Sequence, residues 1–123
     1  MHLGKQYMFE LVACNKAYLD DVDYISAIMI ESAAVAGVTV VQQFFHQFSP
    51  YGVSGTVVIA ESHINIHTWP EHNYAAVDIF TCGDQLKAER LGDFLKEKLG
   101  ASEVTTQIYN RGDITHIKKA NEG

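Results

Sequence analysis

Two segments of the 123-residue chain repeat apolar side chains at helical spacing, and nearly everything around them alternates like a strand. In the first, Tyr18, Val22, Ile25, Met29 and Ala33 share one face; Asn15 or Asp20 is placed to cap it, and Gly37 to end it. In the second, Leu86, Leu91, Phe94 and Leu95 point inward and Gly100 stops the run. "KQYMFELVAC" precedes the first helix as a strand with a largely apolar environment on both faces. Between the helices lie "VTVVQQFFHQF", "VSGTVVIA" running on into "SHINIHTW", and "YAAVDIFTC"; "EVTTQIY" follows the second. "SPYG" and "PEHN" supply turns. No turn residue stands between Val57 and Ile66, so that stretch reads as strand material around residue 61. The polar tail beyond Arg111 is predicted to be loosely held.

The order βαβββαβ with short connections predicts an α+β fold, a two-layer α/β protomer with helices over one face of a mainly antiparallel sheet. The other face needs cover, because Tyr7, Phe44, Val58 and Val77 cannot all meet water. A second copy packed sheet to sheet is the simplest cover, so a homodimer is expected. No repeat or linker divides residues 1–123, which are expected to form a single domain. Fifteen acidic against nine basic side chains give a net charge of −6, which argues against nucleic-acid binding. No apolar stretch approaches the roughly 20 residues that span a bilayer, and "MHLGKQYMFELVA" lacks a signal-peptide core, so a cytoplasmic protein is expected. Cys14 and Cys82 have neither the context for a disulfide nor zinc-motif spacing; Cys14 reads as a buried thiol.

Polar residues collect where strand logic asks for structural ones: Ser54, Glu61, Ser62, His67, Glu71 and Cys82. A hydrolase nucleophile elbow fails, because "GVSGT" is one residue short of G-x-S-x-G. His63 and His67 share strand parity, but no metal-ligand spacing supports them and no metal is expected. A third chemistry acts on the backbone at Glu61-Ser62. The serine hydroxyl attacks the preceding carbonyl to form an ester, a nearby donor stabilises the oxyanion, and a base removes the serine Cα proton. Elimination then splits the chain and leaves a pyruvoyl group, a ketone that condenses with a substrate amine and accepts electrons as CO₂ departs. A cysteine suits the proton transfer that replaces CO₂.

"FHQFSPYGVSGTVVIAESHINIHTWPEHNYAAVDIFTCGD" resembles the central block of the prokaryotic short-form S-adenosylmethionine decarboxylases, which are pyruvoyl-dependent and self-processing. The likeness extends more weakly over residues 4–100, and "PYGVSG", "ESH", "HTWPE" and "FTCG" fall in the family's order and spacing. The resemblance implies cleavage between Glu61 and Ser62, into a β chain 1–61 and an α chain 62–123. It implies Ser62 as pyruvoyl precursor, Ser54 and His67 as the processing pair with His67 the base, and Cys82 as proton donor. Phe48 matches an aromatic that stacks on adenine and Glu71 a carboxylate that holds the ribose. It further implies an αββα sandwich dimer, S-adenosylmethionine as substrate and a place in polyamine synthesis. A pyruvoyl ornithine or arginine decarboxylase and a non-processing binding module are the alternatives. Where the family has an aromatic-Gly pair after "WPE", this chain has His72-Asn73, and Asn still tolerates a left-handed turn. Ser62 and His67, five residues apart, face opposite sides of a regular strand; a bulge or a second subunit would be needed to join them.

Overall fold

The chain runs β1 (His2–Val12), α1 (Lys16–Leu19), α2 (Val22–Ala36), β2 (Val40–Gln47), β3 (Val53–Ile59), β4 (Ser62–Trp69), a 3-10 turn (Pro70–His72), β5 (Tyr74–Thr81), α3 (Gln85–Leu99), β6 (Glu103–Asp113) and α4 (Ile114–Glu122). The computed structural model describes residues 1–60, 62–82 and 85–123, without the side chains of Gln85 and Leu86.

Asp21 starts the longer of the first two helices: one of its carboxylate oxygens accepts the N–H groups of Asp23 and Tyr24 at 3.1 and 3.0 Å. α2 then continues until Gly37 takes φ +76° and its N–H bonds back to Ala34 O. Neither expected cap does that work. Asn15 caps the single turn α1, and Asp20 follows that turn. Tyr18 accordingly belongs to α1, where it stacks on Tyr24 of α2 at 4.4 Å. Tyr24 donates its hydroxyl to Lys98 O at 2.6 Å, tying α2 to the end of α3.

The strands form one antiparallel sheet in the order β2-β3-β4-β5-β1-β6. α2 and α3 cover one face. Leu11, Ile25, Met29, Val57, Ile64, Ile66, Leu91 and Leu95 are sealed between the layers, each contributing about 1.5–3 kcal/mol by leaving water. Two residues expected on the uncovered face lie in this core instead. Tyr7 shares parity with Phe9 and Leu11, and Val77 with Ala75 and Ile79, so both are buried under the helices. Phe44 and Val58 do lie on the open face, 69% and 39% exposed.

Residues 53–69 form a hairpin. β3 pairs with β4 from Ser54↔His67 to Ile59↔Ser62, so the chain reverses between Ile59 and Ser62. Ala60 N–H donates to Thr39 O at 2.9 Å, while position 61 lies outside the described residues. The reversal needs no Gly or Pro, but it leaves a mark in the pattern. Inward positions are odd in β3 (Val53, Val57, Ile59) and even in β4 (Ile64, Ile66, Thr68).

The tail also departs from expectation. β6 runs to Asp113, whose carboxylate accepts the N–H groups of Thr115 and His116 at 3.0 and 3.4 Å and so caps α4. Ile114 N–H donates to Met1 O at 3.0 Å, fastening the two termini together. Among the described residues no helix is long and apolar enough to cross a membrane.

Candidate active site

The residues singled out by sequence fall at the two ends of β4. At its C-terminal end, Ser54 and His67 are direct cross-strand partners on the open face, with Ser54 Oγ 2.8 Å from His67 Nδ1. Both strands are regular there, so the pleat holds hydroxyl and imidazole side by side. With Nδ1 engaged, Nε2 is the ring atom left for other chemistry.

Phe48 and Glu71 join this pair. A cavity of about 290 Å³ is lined by Phe48, Tyr51, Ser54, His67, Trp69 and Glu71. Its walls are set by backbone. The 3-10 turn carrying Glu71 closes on Asn73, left-handed at φ +52°, as expected of Asn at that turn. Asn73 Nδ2 donates to Cys14 O at 3.1 Å and Asn73 O accepts Cys14 N–H at 2.8 Å. Thr68 is buried beneath; its hydroxyl donates to Leu19 O at 2.7 Å and accepts Val53 N–H at 2.8 Å. Trp69 lies between His67, at 6.3 Å, and Tyr74, on which it stacks at 5.4 Å, and the Tyr74 hydroxyl donates to Glu10. Tyr51 and Trp69 are site-lining residues that the sequence reading left unassigned. Their signal was two large aromatics within the quoted motifs "PYGVSG" and "HTWPE".

Ser62 and Cys82 sit at the other end, where β4 begins and β5 finishes. Ser62 shares parity with Ile64 and Ile66, and its Oγ is buried with no hydrogen-bond partner among the described residues. Cys82 is exposed and lines a second cavity, of about 160 Å³, with His2, Leu3, Lys5 and Thr81. Glu61, the other half of the expected cleavage point, lies outside the described residues. Ser62 and His67 therefore do not meet within one chain. No bulge interrupts the β3–β4 register, and five residues of strand separate them by about 17 Å on opposite faces.

Cys14 behaves as the buried thiol foreseen. It is sealed under the sheet, and desolvation pushes its thiol up to about 11, against a smaller lowering by the backbone at Ala75. Between the two ends the open face carries a polar ladder. Thr56 Oγ1 donates to Asn65 Oδ1 at 2.9 Å, Asn65 Nδ2 donates to Asp78 Oδ1 at 3.1 Å, and His63 Nε2 stands 4.0 Å from Asp78 Oδ1.

Known proteins bear on this arrangement. The sequence profile described as S-adenosylmethionine decarboxylase matches residues 5–112. A protein of Acidithiobacillus ferrooxidans named S-adenosylmethionine decarboxylase proenzyme is 50% identical over 112 residues, covering 91% of this chain and 84% of its own. A Clostridium tetani protein of the same name is 44% identical and matches over 98% of both chains. The crystal structure of the adenosylmethionine decarboxylase from Aquifex aeolicus superposes with a TM-score of 0.84 at 34% identity, covering 92% of this chain and 93% of that one. With its two-layer α+β architecture and a profile match over most of its length, the chain belongs to the S-adenosylmethionine decarboxylase family.

Proposed function

We propose that this chain is a self-processing enzyme that decarboxylates S-adenosylmethionine to S-adenosylmethioninamine and CO₂ for polyamine synthesis. Processing splits it between residues 61 and 62 into a β chain 1–61 and an α chain 62–123. The observation that carries the reading is the Ser54–His67 contact of 2.8 Å, set in one cavity with Phe48 and Glu71.

The residues present fit a pyruvoyl group made from Ser62. A buried serine hydroxyl costs stability when unpaired, and among the described residues Ser62 Oγ has no partner to give up before it attacks the preceding carbonyl. That attack exchanges the amide C–N bond for an ester C–O bond. Ser54 donates a hydrogen bond to the oxyanion, and His67 Nε2 removes the Ser62 Cα proton. The ester then breaks, residue 61 keeps the carboxylate, and water replaces ammonia at the new N-terminus. A pyruvoyl group there supplies an electrophilic ketone and an electron sink for decarboxylation. The chain's other residues bind the substrate and move its protons. Phe48 stacks on the purine, Glu71 accepts from the ribose hydroxyls, and Cys82 protonates the carbon that has lost CO₂.

The distance between Ser62 and His67 supports a homodimer in an αββα sandwich. A two-fold packing of open faces with its axis across the strands would set each His67 end against the partner's Ser62 end, and exposed Phe44 and Val58 would lose water. We place the chain in the cytoplasm, the compartment its sequence is read to fit, with two cysteines that have no disulfide context.

Intact-mass spectrometry should find two chains, the heavier in sequence blocked at its N-terminus, and purified protein should release CO₂ from S-adenosylmethionine. One persistent full-length chain would leave a non-processing binding module. Activity only on ornithine or arginine would keep the chemistry and replace the substrate.

A further inference from the structure

Phe48 and Tyr51 stand on the turn between β2 and β3, and that turn is held from outside the sheet. Gly52 N–H donates to Asp20 Oδ1 at 2.8 Å, and Gln47 Nε2 donates to the same oxygen at 3.0 Å. Gln47 Nε2 also reaches Gly52 O at 3.0 Å, the carbonyl that accepts Phe48 N–H at 2.8 Å. On its other side, Gln47 Oε1 accepts the N–H of Val22, the first residue of α2, at 3.3 Å. Gly52 itself is buried at φ +108°, and a Cβ there would press on Thr68 O at 3.2 Å. One carboxylate oxygen and one amide thus clamp both ends of the turn to the α1–α2 junction.

We propose that Asp20 and Gln47 are positioning residues for substrate recognition. They hold the turn so that Phe48 stands over the cavity as a stacking wall for the purine nucleoside part of the substrate. The clamp then favours a nucleoside-bearing amino acid over a bare one. This inference rests on the proposed decarboxylase reading. Neither residue lines the cavity, so both act through Phe48. The ring has little else to fix it: Phe48 is 46% exposed and meets His46 edge-on at 4.6 Å. An aromatic wall so lightly packed is aimed by its backbone, and a mis-aimed wall loses its contribution to binding. Removing the Asp20 carboxylate leaves a buried N–H at Gly52 without its acceptor, which releases the turn.

The test uses 5′-methylthioadenosine, which carries purine, ribose and sulfur but no amino-acid α-amine or carboxylate, so its binding is independent of processing. Binding is read from the fluorescence of Trp69, the single tryptophan, in uncleaved Ser62→Ala protein. Asp20→Ala and Gln47→Leu should each weaken it roughly five- to tenfold, about what one stacked aromatic contributes. In processed protein the KM for S-adenosylmethionine should rise by a similar factor, with kcat changed less. Asp20→Asn keeps an oxygen for Gly52 N–H and should stay within about twofold of the parent. In a Phe48→Ala background Asp20→Ala should add nothing. Unchanged affinity in Gln47→Leu and any folded Asp20→Ala overturns the clamp, as does a full effect persisting without Phe48. Absence of nucleoside binding by the parent, together with absence of CO₂ release, overturns the decarboxylase reading itself and the clamp with it.

Discussion

Cys14 and Cys82 carry the same thiol, one buried and one exposed. Iodoacetamide at pH 8 should modify exposed Cys82 and spare Cys14 until the protein unfolds, which peptide mass mapping would read; equal labelling of the native protein would contradict the burial. The folded-state value of Cys14 lies above its ordinary 9.0, so its contribution to stability is fully present below about pH 9 and is lost as pH rises through about 11. Cys82→Ala should still cleave, because the proposed processing step belongs to Ser62 and His67, while decarboxylation falls by about 10²–10⁴ for want of a positioned acid. Protonation at the wrong carbon should then leave alanine at the α-chain terminus, visible by mass as turnover proceeds. Undiminished, sustained turnover would return Cys82 to the structural thiols. Ala13 offers a residue-scale test of strain: it occupies φ +55°, a region that suits glycine. Ala13→Gly should therefore stabilise the protein by about 0.5–1 kcal/mol, read as a rise in Tm.

At the scale of elements, the β2–β3–β4 meander is what delivers Ser54 to His67. Its packing depends on Gly55, because a Cβ at that position would collide with the Phe45 ring under the helices. Gly55→Ala should cost about 1–3 kcal/mol, the range for overfilling a packed core, measured as a lower urea midpoint. A midpoint unchanged from the parent would mean that Phe45 swings aside without penalty. The C-terminal helix depends on one carboxylate. The backbone N–H groups of His116 and Thr115 hold Asp113 below its usual carboxylate range, with His2 and the N-terminal ammonium adding to the effect. The lowered value means that the cap is intact above the ordinary carboxylate range and is lost as pH falls through the folded-state value. Faster hydrogen exchange at Thr115 and His116 on acidification, ahead of the β-sheet amides, would be its signature.

At the scale of the whole molecule, the separation of Ser62 from His67 makes a prediction that no single chain can satisfy. Ser62→Ala and His67→Ala proteins should each remain uncleaved alone. Mixed and allowed to exchange subunits, they should process, because in the proposed dimer a heterodimer would rebuild one complete site from the Ser62 of one chain and the His67 of the other. Only the His67→Ala chain should be cut, since it alone retains the serine. No cleavage in a mixture shown to contain heterodimers would place both residues in the same chain's site and would require the hairpin to rearrange.

The sequence by itself determined the two long helices, the α+β class and the residues around which the chemistry is argued, but counted three strands between those helices where the fold has four. Those features are local: apolar periodicity, turn chemistry and short motifs are properties of neighbouring residues. It misread what depends on distant partners. Residues 53–69 reverse direction, a change visible only as the shift of inward positions from odd to even, because no glycine or proline announces the turn. Tyr7 and Val77 look like candidates for a wet face until strand parity is referred to the helices that cover them. Asp20 reads as a cap, since helix starts are coded locally, and only the folded chain brings Gly52 and Gln47 to its carboxylate across some thirty residues of sequence. Tertiary structure also decided which site residues are neighbours. Ser54 and His67 meet because β3 and β4 pair in that register, and Ser62 stands apart from His67 because a regular strand keeps five residues extended.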